Sequence, residues 1–273
     1  MTPPPGAPVV ASDLDRTLIY SAAALAFDAP DAAAPRLLCV EVYKGAPLSF
    51  MTETAAATLA ELAAHAHFVP TTTRTREQYA RVRLPGPPPR YAICANGGHL
   101  LVDGESDPGW RARVRRELTA CAPLDEVRAE LSRAADPAWL RKLRTAEDLF
   151  VYLVVDRDAL PGTWLKERAA WLDERGWSLS LQGRKVYAVP RPLTKSAAAA
   201  EVARRTGAGL VCAAGDSLLD ADLLLDADRG WRPGHGELAA DGWAAPHVTA
   251  VPERGVAAGE RILALLREAV RPE

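Results

Sequence analysis

Two acidic clusters carry most of the chemical potential of this 273-residue chain. In Asp13-Leu14-Asp15-Arg16-Thr17, two carboxylates lie two residues apart after the apolar run Pro8-Val9-Val10-Ala11-Ser12, so both project to one side of an extended chain. Ligands of open parallel sheets bind outside the carboxyl ends of strands, which makes Asp13 a candidate nucleophile and Asp15 a candidate proton donor to a leaving group. An acidic turn capping the next element is the plainer alternative for one such pair. The second cluster, Gly215-Asp216-Ser217-Leu218-Leu219-Asp220, again follows an apolar strand, with a glycine that permits a tight exit. Oxygen ligands of this kind suit Mg²⁺, and two acid-tipped strands in one sheet would resist folding unless a cation neutralised them.

Phosphate chemistry also needs donors. Pro70-Thr71-Thr72-Thr73-Arg74 follows a second predicted strand and offers a threonine hydroxyl with neighbouring N–H groups. Lys195, in the first turn of a predicted helix, can neutralise both a carboxylate nucleophile and a phosphoryl group. Taken singly, a strand-end threonine is ordinary and a helix-start lysine is usually solvated.

The elements that must position these residues are legible from apolar patterning. Strands are predicted over 8–13, 37–43, 67–71, 91–94, 149–155, 177–181, 185–189, 210–214 and 247–251. Helices are predicted over 54–66, 110–120, 124–135, 164–175, 195–205, 220–225 and 255–270, with Thr52 as an N-cap and Gly176 as a C-terminal stop. Residues 37–50 read as a β-hairpin flap, and 85–89 as a rigid proline-rich connector.

These four motifs, in this order, resemble those of the haloacid-dehalogenase-like phosphatase superfamily: DxDx[TV] at 13–17, a strand-end Thr at Thr72, a lysine at Lys195 and GDxxxD at 215–220. The resemblance implies an α/β fold: a Rossmann-like parallel-sheet core with an inserted α+β C2-type cap subdomain. It further implies Asp13 as nucleophile, Asp15 as general acid and then base, and Thr72 and Lys195 as phosphate ligands. Asp216 and Asp220 are then the metal-side acids for Mg²⁺, which the Asp13 carboxylate and the Asp15 backbone carbonyl also touch. Thr17 and Thr72 are 55 residues apart, and Thr72 and Lys195 are 123 apart, so the large insertion lies between the second and third motifs. That spacing resembles the C2-capped branch of Cof-type sugar phosphatases, sucrose-phosphate phosphatase and phosphomannomutase. It places the core in 1–80 and 188–273 and the cap in 81–187. Asn96-Gly97-Gly98 resembles that branch's Asn-Gly turn, and residues 183–190 resemble its last cap strand.

The implied reaction is hydrolysis of a small phosphomonoester, a sugar phosphate or similar metabolite, through an aspartyl-phosphate. A phosphomutase using the same intermediate and an inactive metabolite-binding protein are the alternatives. Arg16 and Thr73 stand where many relatives carry glycine. Arg16 is expected to pair with an acid in preference to binding a second anionic group. Arg16, Thr73, Arg74, Asn96 and Arg184 are the candidate substrate contacts, with Glu41 and Lys44 of the flap as further positions to watch.

Composition narrows the classes. Thirty-three cations against 35 acids argue against a nucleic-acid partner, since phosphate-backbone binding needs clustered excess cation. No stretch reaches the roughly 20 apolar residues of a membrane span, and no basic segment leads into an apolar signal-length run, so a cytoplasmic protein is expected. Cys39, Cys94, Cys121 and Cys212 form no CxxC pair, and the five histidines show no metal-ligand spacing. The tryptophans concentrated between 110 and 177 are expected to fill the core of the inserted subdomain. Oligomeric state is not encoded in any of these features.

Overall fold

The computed structural model describes residues 3–27 and 30–271. The chain divides into two compact units, one drawn from both ends, up to Asp107 and from Lys195 onward, the other running from Pro108 to Thr194. In chain order the first unit opens with β1 (Val9–Ser12), β2 (Leu37–Tyr43), β3 (Ala46–Thr52), α1 (Glu53–His65), β4 (His67–Pro70), α2 (Arg76–Tyr79), β5 (Tyr91–Cys94), β6 (His99–Val102) and β7 (Glu105–Ser106). The second unit follows with α3 (Pro108–Leu118), α4 (Leu124–Ala134), β8 (Leu140–Ala146), β9 (Phe150–Val155), α5 (Gly162–Asp173), β10 (Trp177–Gln182) and β11 (Lys185–Pro190). The chain then returns to the first unit through α6 (Lys195–Thr206), β12 (Val211–Ala214), α7 (Ala221–Asp226), β13 (Arg229–Arg232), α8 (Glu237–Ala240), β14 (Val248–Ala250) and α9 (Gly255–Val270).

The first unit is built on a five-stranded sheet of order β14-β13-β12-β1-β4, parallel throughout. A central strand covered on both faces reads as a continuous apolar run, and Val9, Val10 and Ala11 are completely buried. Val10 shares one core cluster with Leu59 and Leu62 of α1 and with Ile262, Leu263 and Leu266 of α9. Thr52 caps α1 as the sequence predicts, its hydroxyl accepting from Ala55 N at 3.0 Å. The same hydroxyl donates to Glu260 of α9 at 2.6 Å, which ties the two helices on that face together.

Register decides where the site forms. Ser12 lies opposite Pro70 on one side and Ala214 on the other, so Asp13, Thr71 and Gly215 leave the sheet at the same edge. The order reverses at β1, whose neighbours β4 and β12 come from opposite sides of the inserted unit. Such a switch point is where doubly wound sheets bind ligands.

The predicted flap forms as the β2–β3 hairpin. The segment 81–107, which motif spacing places with the cap, instead sits in the unit made by the chain ends. The reason is β5: Thr71 bridges Ile93 in parallel, Thr72 N donates to Ile93 O at 2.8 Å and Ala95 N donates to Arg74 O at 2.7 Å. With β6 and β7 it makes a three-stranded sheet that buttresses the threonine loop.

The second unit is a four-stranded antiparallel sheet, order β10-β11-β9-β8, with three helices. Four of its five tryptophans fill its core. Trp110, Trp139, Trp164 and Trp177 are buried, Trp139 and Trp164 meet edge to face at 4.8 Å, and the Trp164 and Trp177 indoles donate to Ala134 O and Ala122 O. Among the described residues, no helix is long and apolar enough to cross a membrane.

Candidate active site

Asp13 is the first residue beyond the central strand, held there by its N–H donating to Ala214 O at 2.9 Å. Its carboxylate accepts from Lys195 Nζ at 2.6 Å on Oδ1 and from Thr17 Oγ1 at 3.2 Å on Oδ2. Lys195 is only 1% exposed, so it is not the solvated lysine usual in a first helical turn. Its ammonium also donates to Asp220 Oδ1 at 2.6 Å. The other Asp220 oxygen accepts from Asp216 N, Ser217 N and Ser217 Oγ at 3.2, 3.0 and 2.7 Å. Asp220 therefore shapes the loop that presents Asp216 and orients the lysine that faces Asp13. Gly215 is required at this bend, because a Cβ there would lie 2.3 Å from the Asp220 Cβ.

Oxygens of Asp13, Asp216 and Asp220 lie within 4.8 Å of one another, all buried. Burial is the main force pushing the Asp13 carboxyl up to about 7; Lys195 opposes it, while Asp220 and Asp15 add to it. Asp216 is raised well above the usual carboxylate range, first by burial and then by Asp13 and Asp220. For Lys195, burial alone would lower the value, but the two carboxylates outweigh it and hold the ammonium charged. The site thus holds more negative charge than its cations balance. An all-oxygen donor set of this kind fits a hard divalent cation such as Mg²⁺. Asp220 is already saturated by Lys195 and the 216–217 loop, which leaves Asp13 and Asp216 as the acids with the most room for a metal.

The remaining predicted residues sort by their partners. The Thr71 hydroxyl donates to Val69 O at 2.9 Å, whereas the Thr72 hydroxyl oxygen accepts from Arg74 N at 3.1 Å and keeps its proton to donate. Thr73 is buried. Asn96, buried and left-handed at φ 55°, supports the same loop, its N–H donating to Thr72 O at 3.0 Å. Arg16 is also left-handed, at φ 65°, where a glycine would be unstrained. It makes the acid pairing expected of it, with Nε 3.3 Å from Asp216 Oδ2. Arg74 is fully engaged by Asp15 and Glu41. Arg184 belongs to the second unit, exposed in the turn between β10 and β11.

No family model matches the chain, and no curated protein sequence does. Solved structures do. Similar over nearly the whole length are the sucrose-phosphatase of Synechocystis sp. PCC6803, determined with sucrose and phosphate (17% identity, 97% of this chain and 98% of that one, TM-score 0.60), and the C-terminal domain of a C. albicans trehalose-6-phosphate phosphatase (12%, 97% and 94%, 0.55). A phosphatase of the HAD enzyme superfamily from Bacteroides thetaiotaomicron is similar too (15%, 96% and 95%, 0.53). The chain has the fold of the C2-capped haloacid-dehalogenase-like phosphatases.

Within this HAD-like fold, three residues have supporting roles that motif reading does not assign. Glu41 of the flap is completely buried, and its carboxylate is occupied by Ser49, Arg74 and Arg81, so it is no free substrate contact. Ser217 anchors Asp220. His235 accepts the Gly255 N–H on Nδ1 at 3.2 Å, which leaves Nε2 to donate to the carbonyl of strained Arg16 at 2.8 Å. Burial drives this imidazole down to about 4, so it stays neutral and holds that tautomer. Next to it, Gly236 is packed so closely that a Cβ would lie 2.5 Å from Asp216 O. A lone histidine 219 residues from its partner carries no local signal; the hint lies at Arg16, which adopts a left-handed backbone conformation that glycine takes without strain.

Proposed function

We propose that the chain is a Mg²⁺-dependent phosphatase that hydrolyses a small phosphomonoester, a sugar phosphate, through an aspartyl-phosphate on Asp13. The observation that carries the reading is Asp13 at the tip of the central strand, with the Lys195 ammonium 2.6 Å away and the Asp216 and Asp220 carboxylates beside it. A buried carboxylate cannot hold a transferring phosphoryl group by itself; the adjoining ammonium and the Thr72 hydroxyl supply the positive counterparts. In this reading Asp13 attacks phosphorus, Thr72 and Lys195 bind phosphoryl oxygens, and Asp15 protonates the leaving oxygen. Asp15, now a carboxylate, then accepts a proton from the water that cleaves the acyl-phosphate. Asp13, Asp216 and the Asp15 carbonyl, with Asp220 behind them, would hold Mg²⁺, which when bound supplies positive charge to the phosphoryl oxygens.

The sugar-phosphate class is supported by the neighbours, one a sucrose-phosphatase and one a trehalose-6-phosphate phosphatase. The test is phosphate release from a panel of sugar phosphates and other metabolite phosphates, with Mg²⁺ or with EDTA, by the wild type and by Asp13→Asn. Release that needs Mg²⁺ and disappears in Asp13→Asn is expected. Release that survives the substitution refutes the nucleophile, and isomerised substrate without free phosphate refutes the hydrolase.

A further inference from the structure

We infer that Arg74 and Glu41 form a positioning chain that fixes Asp15 from the flap, an inference that rests on the phosphatase reading and deepens it. Arg74 sends Nε to Asp15 Oδ2 and one terminal nitrogen to Asp15 Oδ1, both at 2.7 Å. This is the two-pronged guanidinium–carboxylate geometry, which sets the plane of the carboxylate as well as its position. The other terminal nitrogen donates to Glu41 Oε2, also at 2.7 Å. Ser49 Oγ donates to that same oxygen at 2.7 Å, and Arg81 Nε reaches Glu41 Oε1 at 3.2 Å.

Exposure falls steadily along this chain. The Asp15 side chain is 45% exposed, Arg74 10% and Glu41 not at all. A buried carboxylate deprived of its partner is severely unfavourable, so Glu41 holds Arg74 in place more firmly than the solvent-facing Asp15 could. Arg74 is fixed at its backbone too, through its N–H to the Thr72 hydroxyl. Three separate segments, the 13–17 loop, the flap and the loop after β4, are thereby locked to one carboxylate. None of this requires Glu41 or Arg74 to touch substrate.

The chemistry gives the chain a purpose. As the bond from an Asp13 oxygen to phosphorus forms and the ester P–O bond breaks, the Asp15 proton passes to the departing oxygen, and Asp15 is left as a carboxylate. The fork of Arg74 is already placed to receive that charge without rearrangement. Water then attacks phosphorus, gives its proton to Asp15, and the bond from Asp13 to phosphorus breaks to release phosphate.

Proton donation matters only for a leaving group that cannot depart as an anion. Comparing p-nitrophenyl phosphate with phenyl phosphate isolates it, since the two esters have nearly the same shape and differ in the basicity of the leaving oxygen. We expect Arg74→Lys, which keeps the charge and loses the fork, and Glu41→Gln, which keeps the volume and loses the charge, each to raise the kcat/KM ratio of p-nitrophenyl to phenyl phosphate, measured with Mg²⁺, at least tenfold, in the direction of Asp15→Asn. A ratio that stays at the wild-type value in both variants, whether activity falls or not, overturns the positioning role, because general structural damage slows both esters alike. Glu41→Gln serves if Arg74→Lys fails to fold, and thermal melts identify that case. A wild type that, with Mg²⁺ present, releases phosphate neither from these esters nor from any sugar or metabolite phosphate overturns the phosphatase reading itself, a different result from an unchanged ratio.

Discussion

Replacing the proposed nucleophile is expected to stabilise the metal-free protein. Asp13 is buried, and its carboxyl is raised from 3.8 in an unfolded chain to about 7 in the folded one, chiefly by burial. The folded state therefore binds this proton more tightly than the unfolded state, so stability falls as pH rises from 3.8 to 7 and the loss is complete above 7. Each tenfold change in proton affinity is worth 1.36 kcal/mol, which makes the full loss about 4 kcal/mol. Asp13→Asn has the same shape, never ionises, and keeps a carbonyl oxygen to accept from Lys195, which retains Asp220 as its counter-charge. The variant should be more stable than the wild type by up to about 4 kcal/mol at pH 8, with the difference vanishing near pH 4. Urea unfolding in EDTA at a series of pH values measures it, and added Mg²⁺ should narrow the gap by favouring the wild type. A variant less stable than the wild type at pH 8 in EDTA, or a difference that ignores pH, refutes the argument that this site folds against its own charge.

Thr72→Val removes the hydroxyl that remains free to donate, and kcat/KM should fall about a hundredfold. Thr71→Val only loses a bond to Val69 O; stability should drop by about 1 kcal/mol with kcat/KM near wild type, and the opposite ranking would move the motif by one residue. Arg16→Gly relieves a left-handed arginine and takes its guanidinium off Asp216, so calorimetric titration should show Mg²⁺ binding about fivefold more tightly. Gly215→Ala drives a Cβ into Asp220; a loss of about 1–3 kcal/mol of stability, read from urea unfolding, should accompany loss of phosphate release, and an unperturbed enzyme would contradict the packing.

The acids and Lys195 were legible because each sits immediately after an apolar strand or at a helix start, and strand register then carries it to the common edge. What escaped lacked such patterning. In β8, Arg141, Lys142 and Arg144 interrupt the apolar alternation, so the segment reads as a polar connector until β9 pairs with it. In β13, the four residues Arg229, Gly230, Trp231 and Arg232 have little strand character of their own and are extended because β12 and β14 flank them. Gly230 is needed there, since a Cβ would approach Val248 Cγ2 to 2.8 Å. Motif spacing places 81–107 with the cap because it counts residues and cannot see that β5 docks beside Thr71. The links from Glu41 to Arg74 and from His235 to Arg16 join residues 33 and 219 positions apart, where no local pattern can reveal them.

The ion pairs of this site divide it into two electrostatic regions with different purposes. Around Asp15, the carboxylates of Asp15 and Glu41 meet the guanidinium groups of Arg74 and Arg81, so with Asp15 ionised the charges pair within the protein. Around Asp13, three buried carboxylates face one buried ammonium and a guanidinium that is 39% exposed, so charge is not balanced. A phosphoryl group entering the second region adds further negative charge, and the imbalance grows unless a cation enters with it. In the proposed reaction, the residue that attacks would thus lie where an outside cation is needed to balance charge, and the residue that moves the proton would lie where it is not. Separating the two would let Asp15 stay in position through both halves of the proposed reaction, while the charge around Asp13 changes as the phosphoryl group is taken up and released.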